Sequence, residues 1–129
     1  MTERRVLLAV DEDRGVLRAM SLVFHREWQV VTATSAADAL GLVALGLVPD
    51  AIVVELDLPH MDGLALVLAL PAWLQERVVF TSHHASWRRA DALAKTRALV
   101  LSKPMNLDTL ERAIDDTVAG RQRADRLVA

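Results

Sequence analysis

The chain has no cysteine among its 129 residues, which excludes a disulfide framework, a thiolate metal site and a thiol nucleophile. A reducing compartment fits, and the cytoplasm is the expected location. It has no surplus of positive charge. A formal net charge of −2 gives none of the global basic field that binding nucleic acid through its backbone requires, so a nucleic-acid partner is not expected. Long hydrophobic runs are also missing. No stretch approaches the roughly 18 apolar residues of a membrane span, and the short apolar run in MTERRVLLAVDED is cut off by acids before it could serve as a signal segment. A soluble protein with no membrane partner is expected. Glycine is scarce, at 5 residues, and no glycine-rich loop that could cradle phosphate is present. Nor is there an Asp-x-Asp-x-Thr/Val motif or a serine-centred nucleophile constellation. A hydrolase, and an enzyme in general, is therefore not expected.

What the sequence does contain is alternation. Short apolar runs at Val6–Val10, Gln29–Ala33, Ala51–Val54, Val78–Thr81 and Ala98–Ser102 are separated by longer helical segments, a pattern that predicts parallel strands joined by crossover helices. Ala51–Val54 and Val78–Phe80 lack polar alternation, as central strands covered on both faces do. Val16, Leu17, Met20, Val23 and Phe24 recur at helical spacing and predict a first helix from Asp13 to about Arg26. Leu107, Leu110, Ile114 and Val118 predict a last helix, with Asn106 as its N-cap. Helical segments are also read at Ser35–Leu45, Leu64–Leu70 and Ala85–Lys95. There is no internal repeat, low-complexity tract or interdomain linker, and the length suits one α/β domain.

The polar residues of note directly follow the apolar runs: Asp11 and Glu12, Glu55 and Asp57, Thr81 and Ser82, then Lys103 before Pro104. Open parallel sheets bind ligands outside the carboxyl ends of their strands, so these residues are expected to converge on one pocket. The segment PDAIVVELDLPHMDG fixes the register. Counting five on from Asp50 and four back from Pro59 both arrive at Glu55, which leaves Asp57 two residues beyond it.

The acid pair, the Pro-Asp to Asp-Gly run, the Thr after the fourth strand and the Lys-Pro after the fifth, in that order, resemble the response regulator receiver domain of two-component signalling over about Arg5 to Val118. The resemblance implies a CheY-like, flavodoxin-like fold. Its five-stranded parallel sheet has the order 2-1-3-4-5, with the first and last of five helices on one face and the other three opposite. It divides the chain into a receiver domain at 1–120 and, at 121–129, a frayed tail, an extra helical turn or the start of a connector. It also implies roles: an acidic pocket of Asp11, Glu12 and Asp57, a phosphoacceptor position at Glu55, switch residues Thr81 and Lys103, and a switch-aromatic position at Val100. Protein partners follow, namely a histidine kinase, an output domain or another signalling protein.

Glu55 stands where the family carries a phosphate-accepting aspartate. Its carboxylate reaches one methylene, roughly 1.5 Å, further into the pocket, so acceptor oxygen, metal and incoming phosphorus cannot keep their usual spacing. The same reach brings a fixed negative charge toward Thr81 and Lys103, imitating a phosphoryl group in part, with one charge and two oxygens against about −1.5 to −2 and three. The expected function is an atypical receiver that mimics or bypasses phosphorylation. The alternative is a working phospho-switch that accepts phosphate at Glu55 or Asp57. Glu12 is a second lengthened side chain, so Mg²⁺ among Asp11, Glu12, Glu55 and Asp57 is expected to bind weakly at most, and no cofactor is required. Lys103 reads either as a switch residue or as a structural counter-ion to Asp11 and Glu55. Thr81 reads as a pocket residue, with a strand-end cap as the alternative.

His60, His83 and His84 form no recognised ligand spacing. His83, two after Thr81, occupies a position from which attack on the phosphoryl group is tuned in the resembled family. Trp28, Trp73 and Trp87 read as packing residues, and Arg88, Arg89, Lys95 and Arg97 as a solvated basic face. Two segments, Ala39–Val48 and Leu64–Leu74, contain no charge. From this, Leu42, Val43 and Leu45 with Leu64, Leu66, Val67, Leu68 and Leu70 are expected to leave an apolar surface on the second and third helices through which the domain dimerises or docks.

Overall fold

The computed structural model describes residues 4–83, 87–104 and 106–128, the side chains of 87–88 and 121–128 excepted. Five strands, β1 (Arg5–Val10), β2 (Trp28–Ala33), β3 (Ala51–Glu55), β4 (Val78–Ser82) and β5 (Leu99–Ser102), form one parallel sheet in the order β2-β1-β3-β4-β5. Helices α1 (Arg14–Phe24), α2 (Ala36–Ala44), α3 (Gly63–Ala69), α4 (Ala72–Gln75), α5 (Trp87–Lys95) and α6 (Leu107–Val128) connect and cover it. The order is the one the family resemblance implies, and the α/β class the one the alternating pattern implies. The single turn α4 is additional, because a four-residue segment is too short to show a period.

The two faces of the sheet carry two cores. Leu7, Ala9, Ala51, Val53 and Val79 meet Leu17, Met20 and Phe24 of α1 and Leu110, Ala113, Ile114 and Val118 of α6. Leu8, Val10, Ile52, Val54, Val78 and Phe80 meet α2, α3, α4 and α5. Alternate residues of a strand point to opposite faces, so a strand apolar at every position is one covered twice. All five positions of β3 and all five of β4 are buried.

Local signals set most helix ends. Asp13 accepts hydrogen bonds from the amides of Gly15 and Val16, Ser35 from Asp38, Asp62 from Ala65 and Asn106 from Thr109. The stripe on α1 is narrower than the spacing implies. Val23 lies on its flank and is exposed, while Leu17, Met20 and Phe24 are buried. The expected helix at Ala85–Lys95 is observed from Trp87; residues 85–86, like His84 and the side chains of Trp87 and Arg88, lie outside the described residues. At the other end, the backbone of α6 continues to Val128.

The apolar surface expected on α2 and α3 is much smaller in the structure. Leu64, Leu66, Val67 and Leu70 are buried, and of the large α3 side chains only Leu68 is exposed. α3 is seven residues long, with α2 beside it and α4 folded against its end, so most of its circumference is covered. Leu42 and Val43 are half-buried against the same core, leaving Leu45 as the fully exposed member of the set.

Gly63 fixes how α3 meets the sheet. A Cβ at this position would lie 2.3 Å from the Glu55 carbonyl oxygen and 2.9 Å from Leu56 Cα, both backbone atoms that cannot rotate away. The Gly63 amide donates to the Leu56 carbonyl at 3.0 Å. Gly63→Ala should therefore destabilise the fold by about 1–3 kcal/mol through forced backbone displacement. Gly41→Ala, where a Cβ meets nothing within 4 Å, should instead stabilise α2 by up to about 1 kcal/mol. Urea unfolding of the two variants checks both signs, and equal effects would contradict the close-approach account.

Candidate functional site

Pleat and register assemble the pocket. Ala9, Val53, Val79 and Leu101 all point to the face covered by α1 and α6. Two residues further along each chain path come Asp11, Glu55, Thr81 and Lys103, which the period of two returns to that same face at the carboxyl end of the sheet. Register aligns them: Val10 pairs with Val54, Glu55 with Thr81 and Ser82 with Ser102. Hydrogen bonds just beyond the ladders, from Asp11 to the Ala33 carbonyl, Leu56 to Thr81 and Lys103 to Ser82, hold the emerging turns in line.

The centre of the site is an ammonium between two buried carboxylates. Lys103 Nζ lies 2.5 Å from Asp11 Oδ2 and 2.6 Å from Glu55 Oε2, with Asp11 and Glu55 only 2% and 1% exposed. The Thr81 hydroxyl donates to Glu55 Oε2 at 3.3 Å, and the Asp57 amide donates to Glu55 Oε1 at 3.0 Å. The Asp13 amide donates to Asp11 Oδ1 at 2.9 Å. Every oxygen of both buried carboxylates therefore has a donor, which is the condition for charge to be tolerated at this depth. Burial lowers the Lys103 pKa, but the hydrogen bonds and charges of Asp11 and Glu55 outweigh it and hold the group above its ordinary value of 10.5.

The other expected members are placed differently. The Asp57 carboxylate turns to Ser82 and His83, accepting from the Ser82 hydroxyl at 3.3 Å and the His83 amide at 3.2 Å. Glu12 is exposed. Val100 is buried in β5 and packs with the opposite core. The half-exposed His83 side chain sits at the mouth, its Nε2 4.0 Å from Glu55 Oε2. His60 is remote in role: it adopts a positive φ of 69° in the turn before α3. Sequence reasoning passed over Ser82 as a partner of Asp57, although its place directly after Thr81 was the available signal.

The residues do not fit Mg²⁺ as arranged. Among the described residues, no group of three or more Asp, Glu or His side chains is gathered so as to hold a metal ion, and the space between Asp11 and Glu55 contains the Lys103 ammonium.

Removing Lys103 leaves two buried anions without their cation. Lys103→Ala should cost about 3–5 kcal/mol at neutral pH, the usual penalty for breaking a buried pair from one side. The pH dependence has a definite sign. A lysine whose folded pKa is raised adds stability that is fully present below its unfolded value, about 10.4, and is lost as pH rises through the higher folded value. The chain has no tyrosine or cysteine, and its lysines are Lys95 and Lys103, so few other groups titrate there. Urea unfolding should give a flat profile from neutral pH to about 10 and a decline above it, with the decline largely absent in Lys103→Ala. An identical alkaline decline in both proteins would contradict the assignment.

Comparison with known proteins agrees with this fold. The response regulator receiver domain family matches residues 7–115. The chain is 31% identical over 110 residues to the transcriptional regulatory protein KdpE of Mycobacterium tuberculosis, covering 80% of this chain and 46% of that protein. It is 33% identical over 118 residues to GlrR of Escherichia coli K12, covering 87% and 26%. It thus spans less than half the length of these curated relatives. Among solved structures, a CheY-like receiver domain protein from Methanospirillum hungatei superposes with a TM-score of 0.85 at 18% identity, over 95% of this chain and 99% of that one. A Francisella receiver domain superposes with a TM-score of 0.79 at 21% identity, over 92% and 99%. With its sheet order, its strand-end pocket and a family match over most of its length, the chain belongs to the response regulator receiver domain family.

Proposed function

We propose that this chain is an atypical receiver that signals through protein contacts without accepting phosphate, with Glu55 in place of the phosphoacceptor. One observation carries this reading: a single oxygen, Glu55 Oε2, engages both Lys103 at 2.6 Å and Thr81 at 3.3 Å. These are the residues that a phosphoryl group engages in the family the sequence resembles. The longer side chain thus delivers a negative charge to both switch residues from within the protein. The orientation of Asp57 supports the same register, since its carboxylate is engaged by Ser82 and His83.

On this reading the domain is a signalling module and not an enzyme, and it needs no cofactor. Its output is a surface recognised by a kinase, an output domain or another signalling protein. Transmission does not run through an aromatic rotamer at β5, because Val100 is a small buried residue packed in the core. The pocket signals a fixed state.

Incubation with an acyl phosphate donor and Mg²⁺ should leave the intact mass of the protein unchanged. Glu55→Asp should acquire at least a partial phosphoryl adduct at residue 55, because Asp11, Thr81 and Lys103 remain in place and the shorter carboxylate draws back from the ammonium. Peptide mapping by mass spectrometry reads both results. An adduct on Glu55 would overturn the geometric reading, and one on Asp57 would overturn the register. If Glu55→Asp stays inert, Glu55 is not what keeps the pocket from accepting phosphate.

A further inference from the structure

Helix α1 breaks a local electrostatic rule. Its first residue is Arg14, Arg18 follows one turn later, and its first turn contains no acid. Cations are disfavoured at a helix N-terminus, and like charges four residues apart repel across one face. An acid nearby would relieve this, yet among the described residues no ion pair or hydrogen bond engages either guanidinium. The acids next to Arg14 are the exposed Glu12 and the N-cap Asp13; neither forms an ion pair with an arginine of α1, and Asp13 turns a carboxylate oxygen to the amides of Gly15 and Val16. Local rules are broken chiefly at functional or strained positions.

The two arginines also have a setting. With Leu17 as floor, Arg14, Arg18 and Ser21 from α1 and Thr32 and Thr34 from β2 line an open cavity of about 210 Å³ between the helix and the edge of the sheet. Thr32 is on the α1 side of β2, since Val30, two residues before it, packs into the core shared with α1. Thr34 stands at the rim, its hydroxyl turned toward Asp38 Oδ2 at 3.5 Å. The lining thus includes two arginines and the hydroxyl-bearing Ser21 and Thr32. Cavities for drug-sized ligands run to about 300–1,000 Å³, so this one suits a headgroup.

We propose that this cavity is a binding site for a small phosphate dianion, either inorganic phosphate or the phosphate of a small monoester. Guanidinium groups form paired, charge-assisted hydrogen bonds to tetrahedral phosphate oxygens, and hydroxyls complete the shell. The site is separate from the acidic pocket and independent of whether Glu55 accepts phosphate. Occupancy neutralises the charge that destabilises the first turn of α1 and bridges that helix to β2.

The test is a titration of ¹⁵N-labelled full chain with inorganic phosphate, glycerol 3-phosphate and acetate, each at ionic strength held constant with potassium chloride. Phosphate or glycerol 3-phosphate should move the amides of residues 14–18, 21 and 32–34 along saturable curves, and acetate should act more weakly. Saturation by both anions identifies the phosphate group as the determinant, and saturation by glycerol 3-phosphate alone identifies a monoester. The double variant Arg14→Gln/Arg18→Gln should bind about tenfold more weakly or worse, since it loses both charged donors. Its thermal midpoint without ligand should be no lower than the parent's, and Arg112→Gln on α6 should bind as the parent does. Non-saturating shifts, equal response to acetate, unchanged binding in the double variant, or a large fall in its midpoint would each overturn the proposal.

Discussion

The contact on which the site depends is the Lys103 ammonium held between Asp11 and Glu55. Two carboxylates this deeply buried repel and desolvate each other unless a cation lies between them. Lys103 comes from the far end of the sequence, 92 residues from Asp11, so the pair forms only when β1, β3 and β5 lie in register. The ion pair and the sheet order therefore require one another. A slip of one residue in any of these strands would turn its polar side chain to the opposite face and leave a buried charge unpartnered.

The same dependence explains what was legible in the sequence. Apolar runs and helix caps are local, so the strands, the helix starts at Asp13 and Ser35, the capping role of Asn106, and the convergence of Asp11, Glu55, Thr81 and Lys103 could be read from spacing. The direction of a side chain in a turn is not local. Glu12, adjacent to Asp11, is exposed, and Asp57 faces Ser82 and His83, because outside a ladder no period dictates orientation. The burial of α3 was illegible for a related reason. Leu64–Leu70 is apolar all round, which identifies a surface that is covered without naming the cover; that is supplied by α2 and the one-turn α4.

Under the proposed reading, glutamate in place of aspartate changes what such a pocket can do more than it changes the pocket's shape. Its carboxylate accepts Thr81 and Lys103 on one oxygen and the Asp57 amide on the other. Satisfying these donors internally removes much of the gain that an incoming phosphoryl group would obtain by satisfying them. A ligand shifts a conformational equilibrium only by its difference in affinity between the two states. Under the proposed reading, a pocket completed by its own side chain offers phosphate little such difference.

Regulation in that case must come from elsewhere. On that proposal, the state of the domain would not follow the phosphate supply, and the signal it carries would depend on how much of it is present and which partner it meets. A site on α1 and β2 would restore a chemical input at a distance from the closed pocket. α1 starts three residues after Asp11, whose Oδ1 accepts the amide of Asp13, the residue that caps the same helix. Neutralising Arg14 and Arg18 would act on the first turn of α1, and the cap joins that turn to the carboxylate that holds Lys103. The proposed site and the acidic pocket would thus share one short stretch of backbone, Asp11 to Arg14.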